Sequence, residues 1–262
     1  DEPYQIYRKF GSCIDVAVCE SRVKGIENLL EINPDINMIV LDDAFQHRYV
    51  KPKVSVVLTE YRKLPCDDKM LPLGELREPK EGLSRADIVV VTKCPSDIKP
   101  IDINVVKKKL NLAKWQKVFF STYKYKDIAP VFSGETSYVP DLNWLVASDT
   151  ILVVTGIANP VPMVKYLKRF NAKVKVIHFS DHHNYSREDL NFIQKTFEYL
   201  PGERKFIVTT EKDAVRIINN AYFPHNLRKH MFYLPIEVEF LPGEDDFINT
   251  IMTKMSNDNL MK

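Results

Sequence analysis

Two adjacent carboxylates, Asp42 and Asp43, close a short apolar run, Met38-Ile39-Val40-Leu41, and lead into Gln46, His47 and Arg48. Four apolar residues between polar flanks have the pattern of a strand buried on both faces of a parallel sheet. Ligands of open α/β sheets collect beyond the carboxyl ends of such strands. Paired carboxylates there suit a hard cation that prefers oxygen, above all Mg²⁺ beside a phosphate chain. Glu78, on the long polar connection 61–85, can supply a third carboxylate, and Arg77 beside it carries a planar fork suited to phosphate. His47 is a candidate donor to the groups that hold the cation. A second set, Asp181, His182 and His183, follows another apolar run and falls again at a strand end. Blander readings stay open: Asp42 and Asp43 as turn caps, Glu78 and Arg77 as solvated charges, Asp181 as a helix cap with one histidine packed.

An apolar strand ending in two acids has the form of a Walker-B strand. No GxxxxGK[ST] phosphate loop occurs in the 262 residues, whose eight glycines never cluster, and the chain opens at Asp1 without Met. The expectation is that a preceding piece, with the phosphate loop, is missing. The composition is that of an ordinary globular chain, 45% hydrophobic and 27% charged. A net charge of +2 gives no argument for nucleic acid as a partner. Cys13, Cys19, Cys66 and Cys94 are scattered without a CxxC pair and read as reduced thiols of a cytosolic protein. No apolar run reaches the roughly 18 residues of a membrane span.

The elements that must position these residues alternate. The spacing predicts a helix opening at Asp1-Glu2-Pro3, a strand over Ile14–Val18, a helix over Arg22–Ile32 and the strand before Asp42. Strands over Val54–Leu58, Asp87–Thr92 and Val118–Ser121 follow, with a short helix from Val105. Between 123 and 150 the pattern fades. A second alternation starts at Ile151: ILVVTG, a helix from Pro160, VKVIHF, a helix from Arg187, KFIVTT, and a helix capped by Thr210. Strand-helix alternation in both parts predicts two α/β domains with largely parallel sheets, at 1–125 and 151–262, joined by a hinge at 126–150.

Several strings in order are more specific than any one of them. GIENLLE, LDDAFQHR, LPLGELREP, RADIVVVTKC and FSDHHNYS closely resemble the tetraacyldisaccharide 4′-kinase family, the lipid A 4′-kinases, in its Bacteroidetes form. The resemblance implies a P-loop NTPase-like fold with a second, smaller α/β domain. It also implies a phosphotransferase that uses ATP and Mg²⁺ to phosphorylate the 4′-hydroxyl of a tetraacylated glucosamine disaccharide 1-phosphate. Its setting is the cytoplasmic face of the bacterial inner membrane, where the partners are that lipid A precursor and the membrane surface.

Carried onto this sequence, the resemblance makes Asp1, of the DEP string, and His182 a catalytic dyad. It makes Asp42 and Asp43 the Walker-B acids and, with Glu78, the metal ligands, with Arg77 beside the nucleotide. Arg22 and His47 fall on the lipid-substrate side. The hinge would bring His182 to Asp1. The family's phosphate loop and its membrane-anchoring helix have no counterpart here, so the chain is expected to be a fragment, inactive alone. Two other readings stand beside the kinase: a non-catalytic nucleotide- or lipid-binding protein, and a metal-dependent phosphoesterase built on Asp42, Asp43, His182 and His183.

Overall fold

The computed structural model describes residues 2–136, 138–241 and 243–256. The helices and strands in chain order are α1 (Glu2–Phe10), α2 (Arg22–Ile32), β1 (Val56–Glu60), β2 (Ile88–Thr92), α3 (Pro100–Leu110), β3 (Lys117–Tyr125) and β4 (Ala129–Pro130). Then come β5 (Thr150–Thr155), α4 (Val161–Leu167), β6 (Lys173–His178), α5 (Arg187–Glu198), β7 (Lys205–Thr210) and α6 (Glu211–Ile218). The chain finishes with α7 (His225–Arg228), β8 (Met231–Leu234), β9 (Ile236–Phe240) and α8 (Glu244–Ser256). They divide between two compact units. The first comprises Asp1–Val16 and Tyr125–Glu237, the second Ala17–Lys124 and Val238–Lys262.

The sheet of the first unit runs β4-β8-β7-β5-β6. All its neighbours are parallel except β4 and β8. Its interior strand β5, TILVVT, is buried throughout, as its unbroken apolar run requires. Successive side chains point to opposite faces, so Leu152 and Val154 meet Leu190, Ile193 and Phe197 of α5 on one side. Ile151 and Val153 meet Met163 and Leu167 of α4 on the other. The result is a helix-sheet-helix sandwich. The edge strand β6 instead places Lys173 and Lys175 in solvent, which discourages a further strand from adding there. From β5 the chain passes to β6 on one side and then crosses to β7 on the other. The β5/β7 boundary is therefore the point where the connections diverge, and crevices for ligands form at the carboxyl ends of such a pair.

The sheet of the second unit runs β1-β2-β3-β9, with β1, β2 and β3 parallel. Its core joins Val89 and Val91 of β2 to Val106 and Leu110 of α3. Gln116 stitches the layer by donating from Nε2 to the carbonyls of Leu83 and Ala86, at 2.7 and 2.8 Å.

Two expected strands do not form. Ile14–Val18 and Met38–Leu41 have no sheet pairing, and Val18 and Val40 stand 79% and 84% exposed. Among the described residues β1 pairs only with β2, so neither segment has a ladder to join, and an apolar run without one cannot satisfy its backbone in a core. The division into units also differs from the expected boundaries. Helix α1 belongs with the later sheet because Lys9 pairs with Glu211 at 3.3 Å and Lys212 with Glu2 at 3.0 Å. The C-terminal stretch returns to the earlier sheet through β9. The span expected to be a patternless hinge contains β4 and a 3-10 turn at Leu142–Trp144.

An ion pair between the buried Asp149 carboxylate and the partly exposed Arg204 anchors the start of β5. Arg204 donates from Nε and Nη2 to Asp149 at 2.9 and 2.6 Å, and the backbone N–H of Val146 adds a third bond at 2.8 Å. The Arg204 hydrogen bonds hold the Asp149 carboxyl below its ordinary range. A depressed carboxyl stabilises the fold above its unfolded value of about 3.9 and loses that contribution as pH falls through the folded value. Arg204→Ala should therefore lower the urea midpoint at neutral pH, because it leaves the buried Asp149 carboxylate without its charged partner. Urea unfolding should show the gap to the native protein narrowing below about pH 4. A gap independent of pH would show that Arg204 acts through packing alone.

Candidate functional site

The carboxyl ends of β5, β6 and β7 carry one connected polar cluster. Thr210, the N-cap of α6, accepts from the backbone N–H of Asp213 at 3.1 Å and donates its hydroxyl to Asp213 Oδ2 at 2.7 Å. The Asp213 side chain is 0% exposed. It also accepts from the backbone N–H of Gly156, just past β5, at 3.0 Å. Glycine suits that approach, since a Cβ there would lie 3.1 Å from both Asp213 Oδ1 and His183 Cβ, tighter than ordinary contact. Arg216, one helical turn on, reaches Asp213 Oδ1 at 3.3 Å through Nη1 and is nearly as buried. Its Nη2 donates to Nδ1 of His182 at 3.1 Å. Tyr185 is buried beside the cluster, and burial together with the Asp213 carboxylate pushes its hydroxyl above the ordinary value.

The two adjacent histidines have opposite fates. His183 turns inward, stacks on Phe179 with centroids 4.5 Å apart and donates from Nε2 to Asp189 at 2.9 Å. Asp189 is also the capping-box acid of α5, paired with Ser186. His183 therefore belongs to the scaffold. His182 turns outward with its side chain 60% exposed, on a left-handed backbone at φ 58 that is uncommon for a non-glycine residue. Its backbone N–H donates to Asp181 Oδ1 at 2.9 Å.

Asp1 lies outside the described residues. The helix that starts at the next residue shares a unit with His182, so the expectation that these two motifs sit on different domains is corrected. The reason is the pairing of α1 with α6. The hydrogen bond and charge of Lys212 hold the Glu2 carboxyl below its ordinary value. Lys212 Nζ donates to Glu2 Oε1 at 3.0 Å.

The second unit holds the remaining candidates. Asp43, also left-handed at φ 44, accepts both oxygens' worth of hydrogen bonds from Arg77 Nη1, at 3.0 and 2.9 Å. Glu78 is held by Arg85 Nη2 at 3.1 and 2.7 Å, and that guanidinium lies 4.5 Å from the Phe45 ring centroid. Asp42 and His47 are exposed, and the His47 backbone closes a turn onto Ala44. Arg22, the first residue of α2, donates to the Cys19 carbonyl at 2.6 Å. The shared cation expected of Asp42, Asp43 and Glu78 is not matched by this arrangement. Among the described residues no three acidic, histidine or cysteine side chains form a metal-binding group. Two of the three carboxylates are already neutralised by arginines, so as placed they do not fit Mg²⁺.

Sequence reasoning reached His182 but not Asp213 or Arg216. The i, i+3 spacing of those two after a Thr cap was visible, yet it is the ordinary form of a helix start. Only the approach of Gly156 from a strand 57 residues away buries the pair.

The chain was compared with known proteins. The family model described as tetraacyldisaccharide-1-P 4′-kinase (LpxK) matches residues 1–256. A tetraacyldisaccharide 4′-kinase of Bacteroides thetaiotaomicron is 47% identical over 256 residues, covering 95% of this chain and 67% of that protein. One from Bacteroides fragilis is 46% identical over 251 residues, covering 95% and 66%. The chain thus spans about two thirds of the length of these curated relatives. A crystal structure of the "apo" form of LpxK from Aquifex aeolicus in complex with ATP aligns with a TM-score of 0.58 at 20% identity. That alignment covers 89% of this chain and 62% of that one, and it shows the same fold. Over almost its whole length, the chain belongs to the tetraacyldisaccharide 4′-kinase family.

Proposed function

We propose that the protein carrying this chain transfers the γ-phosphoryl group of ATP to the 4′-hydroxyl of a tetraacylated glucosamine disaccharide 1-phosphate, a lipid A precursor. The observation that carries the reading is the family match over residues 1–256. The exposed, anchored His182 at the carboxyl edge of its sheet supports it, as does the ATP named with the Aquifex relative. The proposed setting is the cytoplasmic face of the inner membrane; no helix among the described residues is long and apolar enough to cross a membrane.

Phosphoryl transfer is governed by positioning and charge neutralisation, together with a group that takes the acceptor's proton. Under this proposal Asp1 takes the proton of the 4′-hydroxyl while His182 orients the carboxylate by donating from its ring. Arg77, whose fork now lies on Asp43, is assigned to the phosphates, and Arg22 and His47 to the lipid substrate. Mg²⁺ supplies charge neutralisation in this class of reaction. The phosphoesterase reading loses its basis, because His183 is committed to Asp189 and Phe179.

If Asp1 and His182 act as a unit, their losses should not multiply. Asp1→Ala and His182→Ala should each lower single-turnover phosphorylation by about 10²–10⁴-fold, with the double variant little worse than the worse single. Multiplicative losses per folded molecule would remove the dyad.

The two histidines should separate cleanly in stability. His183→Ala, which deletes a stacked and hydrogen-bonded ring, should cost about 1–3 kcal/mol in urea unfolding. His182→Asn, chosen because asparagine tolerates the left-handed backbone, should stay within about 0.5 kcal/mol of the native protein. The reverse order would mean that the outward histidine is the structural one.

A further inference from the structure

We propose that Arg216 is a positioning residue that selects one tautomer of His182, leaving Nε2 as the only ring nitrogen that faces the reacting groups. The inference rests on the proposed role of His182, but the contact that carries it does not. A guanidinium has five donors, no acceptor, and keeps its proton. The Nη2···Nδ1 distance of 3.1 Å therefore requires Nδ1 to accept through its lone pair. In a neutral imidazole the remaining proton is then on Nε2.

Arg216 is itself held from behind. Asp213, with no exposed surface, takes its Nη1 at 3.3 Å and is fixed by the Gly156 N–H and the Thr210 hydroxyl. Arg216 Nη1 also lies 3.4 Å from the Gly156 carbonyl. The guanidinium is thus clamped to β5 and α6, and its Nη2 donates outward to His182. On the other side of the ring, Asp181 Oδ2 is 3.9 Å from Nε2, too far for a hydrogen bond. Nε2–H is left to donate elsewhere. A carboxylate arriving there, as proposed for Asp1, meets a fixed donor; the opposite tautomer would present it with a lone pair.

The test is nitrogen NMR of the intact protein carrying labelled histidine, with the His182 signals assigned by their loss in His182→Asn. The native protein should show a protonated Nε2 and an unprotonated, hydrogen-bonded Nδ1. Removing Arg216 alone strands the Asp213 carboxylate, so the paired variant Asp213→Asn/Arg216→Gln is used beside Arg216→Lys. In the paired variant the ring should become a tautomer mixture, and kcat should fall about 10–100-fold with KM unchanged. Arg216→Lys, which still offers a cationic donor, should recover part of both. An unchanged Nε2–H tautomer in the folded paired variant, or a loss confined to KM, overturns the proposal. Full activity of His182→Ala would instead overturn the dyad reading, leaving the tautomer result to stand on the spectra.

Discussion

The buried carboxylate of Asp213 is the constraint on which the first unit's functional edge depends. A charge with no exposed surface is tolerated only when its oxygens are fully engaged, and here a backbone N–H, a hydroxyl and a guanidinium engage them. Each donor comes from a different place: the turn after β5, the cap of α6, and the second turn of α6. The carboxylate that holds the hydroxyl of the helix cap therefore also ties the turn after β5 to the first turn of α6, where the strand connections diverge. Gly156 leaves room for that approach, and the loop carrying His182 is anchored to the carboxylate through Arg216. Losing the carboxylate would loosen all three at once.

The loop after β6 shows how a scaffold can hold one histidine so as to release its neighbour. His183 is fixed by an aromatic stack and by the capping acid of α5, so the backbone at His182 has little choice of direction. Its left-handed conformation turns the His182 side chain out. The strain at φ 58 is offset by the Asp181 and Arg216 contacts rather than relieved by a glycine. A comparable left-handed residue occurs at Asp43, where the bond to Arg77 orients the carboxylate. In both units the non-glycine residues with unusual backbone include those that the family resemblance singles out.

Legibility in the sequence followed the source of each element's stability. The runs ILVVT and KFIVTT, buried between two helix layers, were readable because burial on both faces demands a continuous apolar string. Met38–Leu41 has the same string and forms no strand, because apolar sequence specifies burial only if a neighbouring ladder exists. The unit boundary was unreadable for a similar reason: α1 is assigned by two ion pairs to residues more than 200 positions away, which no local pattern contains. His182 was found through a family string, and its separation from His183 needed the ring contacts. The expected cation site was a reasonable reading of three acids whose arginine partners lie 34 and 7 residues off and gave no signal.

Family membership is fixed by the match over residues 1–256, and the chemistry assigned to the protein rests on it. The side-chain geometry contributes what the match does not. It identifies which histidine of the pair is available, and which acid and arginine stand behind it. The most direct measurement is positional phosphorus NMR of the lipid formed when the complete protein is given ATP and tetraacylated disaccharide 1-phosphate. The account predicts one new phosphomonoester at the 4′ position with stoichiometric ADP. Release of inorganic phosphate with the lipid unchanged, or a phosphate at any other hydroxyl, would contradict it.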